Sequence, residues 1–226
     1  MASSDLTSHG MDTSGQRPRL LLIADGFTQP GLDQRIVQAV RYGVEWIILR
    51  DHGARPDIVE LSARILIERM RAVHRTVRIG LNGPEDVARK LGVGWHRTSY
   101  SPFSRRSSLS SSRGLRNLEG RSTHSAEEVD RAREEGMDYV LFGHVFETGS
   151  HRGEPPRGLV GLREAVEAAG TMPVIAIGGI TPERVRPCTE TEAHGVAVLS
   201  GLMQAPILFQ AVDAFSQALI EPLERD

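Results

Sequence analysis

The sequence predicts an α/β fold, a single-domain (β/α)8 TIM barrel. Three observations carry that expectation. Eight short apolar or mixed runs recur along the chain, separated by longer segments with helical periodicity. Most of the runs are apolar at nearly every position, as strands of a parallel sheet covered on both faces must be. Polar residues and glycines stand just beyond the runs, where the loops of such a barrel form its mouth. An open doubly wound sheet is the competing architecture. The chain carries no Gly-x-Gly-x-x-Gly after the first run, which argues against a dinucleotide-binding version.

The elements follow in order. Residues 1–18 are rich in Ser, Thr and Gly and lack the apolar stretch of a signal peptide, so they read as a disordered tail ahead of a barrel domain at 19–226. Leu20–Ala24 is the first strand. Leu32–Gly43 sets Ile36, Val37 and Val40 on one helical face. Trp46–Leu49 is the second strand, and Asp57–Val73 repeats apolar residues at three and four. Val77–Leu81 is the third strand, and Val93–His96 is a weak fourth. Ser99–Arg116 is dense in Ser and Arg, and reads as a solvated loop or a mobile lid. Glu119–Ser122 is the fifth strand. Ser125 N-caps the next helix, with Glu128 at its third position and Gly136 as a left-handed C-terminal cap. Tyr139–Phe142 and Val174–Ile177 are strands six and seven. Thr181–Pro182 opens a further helix, and Gly195–Leu199 is the eighth strand.

Composition narrows the function. With 27 basic against 29 acidic residues the chain is nearly neutral, which gives no reason to expect a nucleic-acid or membrane surface. The single cysteine, Cys188, excludes an internal disulfide and suits a reducing cytoplasm; its flanks read as an incidental surface or helix-end thiol. The spacing of His, Cys, Asp and Glu suggests no metal site.

Candidate site residues are those that follow the strands. Gly178–Gly179 after strand seven and Ser200–Gly201 after strand eight form the pair of loops that binds phosphate in such barrels. The expected ligand is a small phosphate ester. Arg50 ends an apolar run and requires an anionic partner, either a substrate anion or an internal carboxylate such as Asp25 or Glu147. His124 stands just past strand five, where an imidazole can move protons near neutral pH. A surface capping histidine is the simpler reading of that residue, and His52, His144 and His151 compete for the catalytic role. His96, next to Trp95, reads as a packed side chain.

Three long segments then show a resemblance to a known family. Gly120–Glu128, Asp138–Thr148 and Pro173–Pro182 resemble thiamine phosphate synthase and its TenI-type relatives, and the likeness runs from Leu20 to Leu219. Phe-Gly-His-Val-Phe-Glu-Thr at 142–148 resembles the TenI branch. The synthase branch implies magnesium carboxylates and lysines. Its Asn-Asp pair reads Asn82–Gly83 here, its Gln-Glu-Asp loop reads Arg97-Thr98-Ser99, the end of its second strand reads Arg50-Asp51-His52, and its loop lysine falls at His151. The resemblance therefore implies a thiazole tautomerase, an isomerase that needs no cofactor. In that reading His124 shuttles the proton, Arg50 and Asn82 hold a carboxylate, and His144 and Thr148 line the substrate. Gly178, Gly179, Ser200 and Gly201 take the phosphate of a thiazole phosphate. A cytoplasmic homodimer is expected. A thiamine phosphate synthase and a non-catalytic ligand-binding relative are the alternatives.

Overall fold

A computed structural model of the chain describes residues 19–103 and 117–220. The expected tail at 1–18 and most of the Ser/Arg-rich loop lie outside the described residues. Eight parallel strands close into one barrel in sequence order: β1 (Arg19–Asp25), β2 (Trp46–Arg50), β3 (Arg78–Asn82), β4 (Gly94–Arg97), β5 (Glu119–Thr123), β6 (Tyr139–Gly143), β7 (Val174–Ile177) and β8 (Gly195–Val198). β1 pairs with both β2 and β8, which closes the ring. The closed ring excludes the open-sheet alternative.

The helices form the outer layer: α1 (Leu32–Arg41), α2 (Pro56–Val73), α3 (Glu85–Leu91), α4 (Ala126–Glu134), α5 (Gly158–Ala169), α6 (Pro182–Thr189), α7 (Ser200–Met203) and α8 (Leu208–Ile220). None is long and apolar enough to cross a membrane. Strand side chains alternate between two cores. Leu20, Leu22 and Ala24 face the helices, whereas Leu21 and Ile23 join Trp46, Ile48, Tyr139, Leu141, Ile175 and Ala197 inside the barrel.

Two large rings fit in that interior because the neighbouring strands turn glycines toward it. A methyl group on Gly120 would lie 2.2 Å from the Tyr139 ring, and one on Gly80 would touch Ile48 and approach the Tyr139 hydroxyl. Trp46 packs edge-on against Tyr139 at 4.7 Å. The charged residues of β4 and β5, which help to make β4 faint in the sequence, go to ion pairs under the helices. Arg97 is buried against Glu119 and lies over the Trp95 ring, while Arg121 is buried 3.4 Å from Glu135.

Local signals at α4 act as read. Ser125 Oγ accepts the Glu128 backbone N–H, Glu128 Oε2 accepts the His124 N–H at 2.7 Å, and Gly136 takes a positive φ of 80°. Cys188 is at the end of α6, as expected, but it is fully buried rather than on the surface. Burial pushes its thiol up to about 12, so it is inert.

Candidate active site

The strand register builds one polar rim. Asp25 pairs with Arg50 across β1 and β2, and Arg50 with Asn82 across β2 and β3, so three polar residues end successive strands. Above that rim lies a cavity of about 150 Å³. Arg50, His124, His144, Thr148, Gly178, Gly179, Ser200 and Gly201 line it, together with Ser122 and His151. Eight of the nine sequence-predicted residues therefore converge.

Asn82 is the exception. It is buried, and its amide donates to the His96 carbonyl at 2.9 Å, which ties β3 to β4. His52 is exposed and does not line the cavity.

Each lining group is set by its neighbours. Arg50 Nε donates to Asp25 Oδ1 at 2.9 Å, so an internal carboxylate is its partner, yet the guanidinium still borders the cavity. His124 Nδ1 lies 2.5 Å from the Gly143 carbonyl; a carbonyl only accepts, so Nδ1 carries the proton and the neutral ring keeps Nε2 as an acceptor. With its backbone N–H on Glu128, His124 is fixed at both ends. Asp51 does not reach the cavity. Burial raises its carboxyl, but bonds from the Thr28 hydroxyl and from the Gly53 and Ala54 N–H groups outweigh that and hold it below the ordinary range.

The glycines after β7 answer to packing as well as to any ligand. Gly178 and Gly179 have φ of 99° and 64°. A methyl group on Gly178 would lie 2.2 Å from His144 Cβ, and one on Gly179 would lie 2.3 Å from the Glu147 carbonyl oxygen. The β6–α5 loop thus rests directly on the β7 loop. Arg184 clamps the arrangement from outside, donating to the Gly179 carbonyl at 2.7 Å with its guanidinium over the Phe146 ring.

A relay in the barrel floor escapes sequence reasoning. His96, taken as a packed side chain, is buried with Nδ1 3.0 Å from the Tyr139 hydroxyl and Nε2 2.9 Å from Ser122 Oγ. Burial, then the charges of Arg50 and Arg121, push its pKa down to about 3, so the ring is neutral and has one N–H. Burial likewise keeps Tyr139 protonated. A buried phenol must place its proton, and the acceptor in reach is Nδ1. Nε2–H then donates to Ser122, whose own proton is left to point at the cavity. The signal in the sequence is only that residues 96, 122 and 139 occupy inward positions on neighbouring strands.

No carboxylate lines this cavity among the described residues. Magnesium prefers oxygen donors with carboxylates among them. Asp25 and Asp51 near the rim are engaged with Arg50 and Thr28. The residues present do not fit a magnesium site of the synthase kind.

Residues 20–202 match the TMP-TENI family model, described as thiamine monophosphate synthase. The chain belongs to this family. A thiamine-phosphate synthase of Thermus thermophilus is 35% identical over 192 residues, covering 82% of this chain and 87% of that protein. Another of Synechococcus is 34% identical over 191 residues, covering 82% of this chain and 52% of that protein. The solved thiamine phosphate pyrophosphorylase of Pyrococcus furiosus superposes with a TM-score of 0.74 at 26% identity, over 89% of this chain and 95% of that one. A 3-hexulose-6-phosphate synthase, at 14% identity, a TM-score of 0.65 and coverage of 88% and 99%, shares the fold.

These relatives overturn the tautomerase expectation and with it the isomerase class. Two are named thiamine-phosphate synthases and the solved one a thiamine phosphate pyrophosphorylase, and none of these carries a tautomerase name. The expectation treated lost carboxylates and lysines as the mark of a different reaction. They are changes within a barrel whose wider sequence follows the synthases.

Proposed function

We propose that the protein is a transferase of the thiamine-phosphate synthase type, which joins a thiazole phosphate to a pyrimidine pyrophosphate and releases pyrophosphate. The cavity carries this reading. It offers a guanidinium, three imidazoles and two glycine-rich loops, and no carboxylate among the described residues, so it favours an anionic ligand. Gly178, Gly179, Ser200 and Gly201 receive the thiazole phosphate. Arg50 meets the charge that grows on the departing pyrophosphate, and the Ser122 hydroxyl adds a donor aimed by the relay. His124, His144 and Thr148 border the reacting groups. A second, larger cavity of about 770 Å³ shares Thr148 and His151 with the first and gives the second substrate room. The assembly is a homodimer in a reducing cytoplasm, which suits the lone cysteine.

The test mixes both substrates with the full chain, with and without magnesium, and measures pyrophosphate and the coupled product. Product above the uncatalysed blank supports the reading; none under either condition refutes it. The lack of lining carboxylates favours one second reading, a relative that binds thiazole phosphate or thiamine phosphate without turnover. Calorimetric binding of either compound with no product would establish that instead.

A further inference from the structure

We infer that His144, His151 and Glu154 form a site for one divalent cation of the zinc type at the β6 edge of the barrel mouth. One ligand-type atom from each side chain lies within 4.8 Å of those from the other two. His151 Nδ1 and Glu154 Oε1 are 3.5 Å apart, and the imidazoles of His144 and His151 have centroids 4.7 Å apart. Ligand atoms of a tetrahedral zinc site stand about 3.3 Å apart, given bonds near 2.0–2.1 Å. The widest pair therefore has to close by up to about 1.5 Å, and the His151–Glu154 pair by much less.

The donor set selects the ion. Two imidazoles and a carboxylate are the zinc ligands of sites that keep an open fourth position, whereas magnesium and calcium prefer oxygen alone. His144 is a buried, fixed arm: a methyl group on Gly178 would collide with its Cβ, and its Nε2 makes only a long 3.3 Å contact with the Glu154 carbonyl. His151 and Glu154 are the adjustable arms. His151 belongs to a single 3-10 turn (Gly149–His151) with a side chain 40% exposed, and Glu154 is 59% exposed three residues on. As the rings stand they are stacked, their planes 10° apart, so their lone pairs do not converge. Rotation of the His151 ring about its Cβ–Cγ bond supplies the convergence, and its exposure leaves that rotation open.

Two of the three arms border the smaller cavity, and two border the larger one. Through His144 and His151 the ion borders the smaller cavity, which no carboxylate lines among the described residues, and its open fourth position takes water or an anionic oxygen there. The ion site rests on these three side chains alone. It does not depend on which reaction the protein catalyses.

The test uses chelator-treated full-length protein. Zinc chloride is titrated in by calorimetry, and cobalt chloride is followed by visible absorption. The expected result is one Zn2+ per chain and the strong d–d bands of four-coordinate cobalt. His151→Ala and Glu154→Gln, both in the exposed loop, each weaken zinc binding at least ~10- to 100-fold, the range that even an outer-sphere partner is worth. His52→Ala, which removes an exposed histidine elsewhere, leaves the affinity unchanged. Binding that survives both loop variants, binding lost equally with His52→Ala, cobalt spectra of six-coordinate type only, or no saturable binding would each overturn the site.

Discussion

Acidification from pH 7 to 5 should destabilise the fold through His96, and the size of the effect follows from its enclosure. The ring is 3% exposed, sits between Tyr139 and Ser122, and feels the charges of Arg50 and Arg121. Its proton affinity is therefore low in the folded state, with a pKa of about 3, against 6.5 in an unfolded chain. Between those values the unfolded chain binds a proton that the folded chain refuses. Stability is complete above pH 6.5 and falls as the pH drops toward 3, by ~1.4 kcal/mol for each unit. At pH 5 the loss is about 2 kcal/mol, a large part of the roughly 5–15 kcal/mol typical of a domain. Asp33 and Asp51, whose pKa values are lowered from 3.8, lose their contributions only in stronger acid. Urea unfolding at pH 7, 6 and 5 measures the slope, and His96→Gln removes this one titration. The wild type should lose about 2 kcal/mol more than the variant across the window. Parallel loss in the two proteins would refute the enclosure of a neutral imidazole.

Tyr139→Phe keeps the ring and deletes the hydroxyl, leaving His96 Nδ1 buried without its 3.0 Å partner. Thermal unfolding should show a loss of ~1–3 kcal/mol, and the nitrogen NMR shifts of His96 should lose the signature of a single Nε2–H tautomer. Glu135→Gln removes the carboxylate 3.4 Å from fully buried Arg121, which keeps the Ser101 and Pro102 carbonyls as acceptors and Glu119 and Glu128 nearby; the expected cost is ~1–3 kcal/mol in urea unfolding. Arg50→Ala removes a guanidinium that is 30% exposed, so stability should hardly change, while affinity for a phosphate ester, measured by calorimetry, should fall roughly 10- to 100-fold. Gly178→Ala forces a methyl group against His144 Cβ at a φ of 99°; it should cost more than ~1 kcal/mol in unfolding and weaken the same ligand, since His144 must move.

The barrel was legible because its outward-facing residues obey simple rules. Runs such as Leu20–Ala24 and Val174–Ile177 are buried on both faces and so are apolar throughout. β4 was faint because it has only four residues, two of them the charged or polar Arg97 and His96. Its signal is hidden by pairing, since Arg97 reaches Glu119 and His96 reaches Tyr139 and Ser122. Pairings between strands 22 to 43 residues apart leave no local trace. For the same reason Asn82 was placed at the cavity although it turns to the His96 carbonyl: the end of a strand fixes the height of a side chain, not the direction it takes. The sequence leaves the partner of Arg50 open between a substrate anion and an internal carboxylate such as Asp25 or Glu147, and only the β1–β2 register selects Asp25.

The glycine motif explains why family was easier to read than reaction. Gly178 and Gly179 are required by the β6–α5 loop, whose His144 Cβ and Glu147 carbonyl occupy the space their side chains would need. Any barrel that packs these two loops together keeps the glycines, whatever it binds. The groups that decide chemistry are free of that constraint. His151, Glu154 and Thr148 sit in a loop that is exposed or half-buried, where a change of donor disturbs no core. Lysine can become histidine there at little cost in stability. Such a change alters which cation stands beside the substrate anion, a mobile ammonium or an ion held by imidazoles, without altering the backbone that holds the phosphate. Missing carboxylates and lysines are therefore information about how charge is supplied in this cavity. They do not identify the reaction, which is why the reading drawn from them gave way to the likeness of the whole barrel.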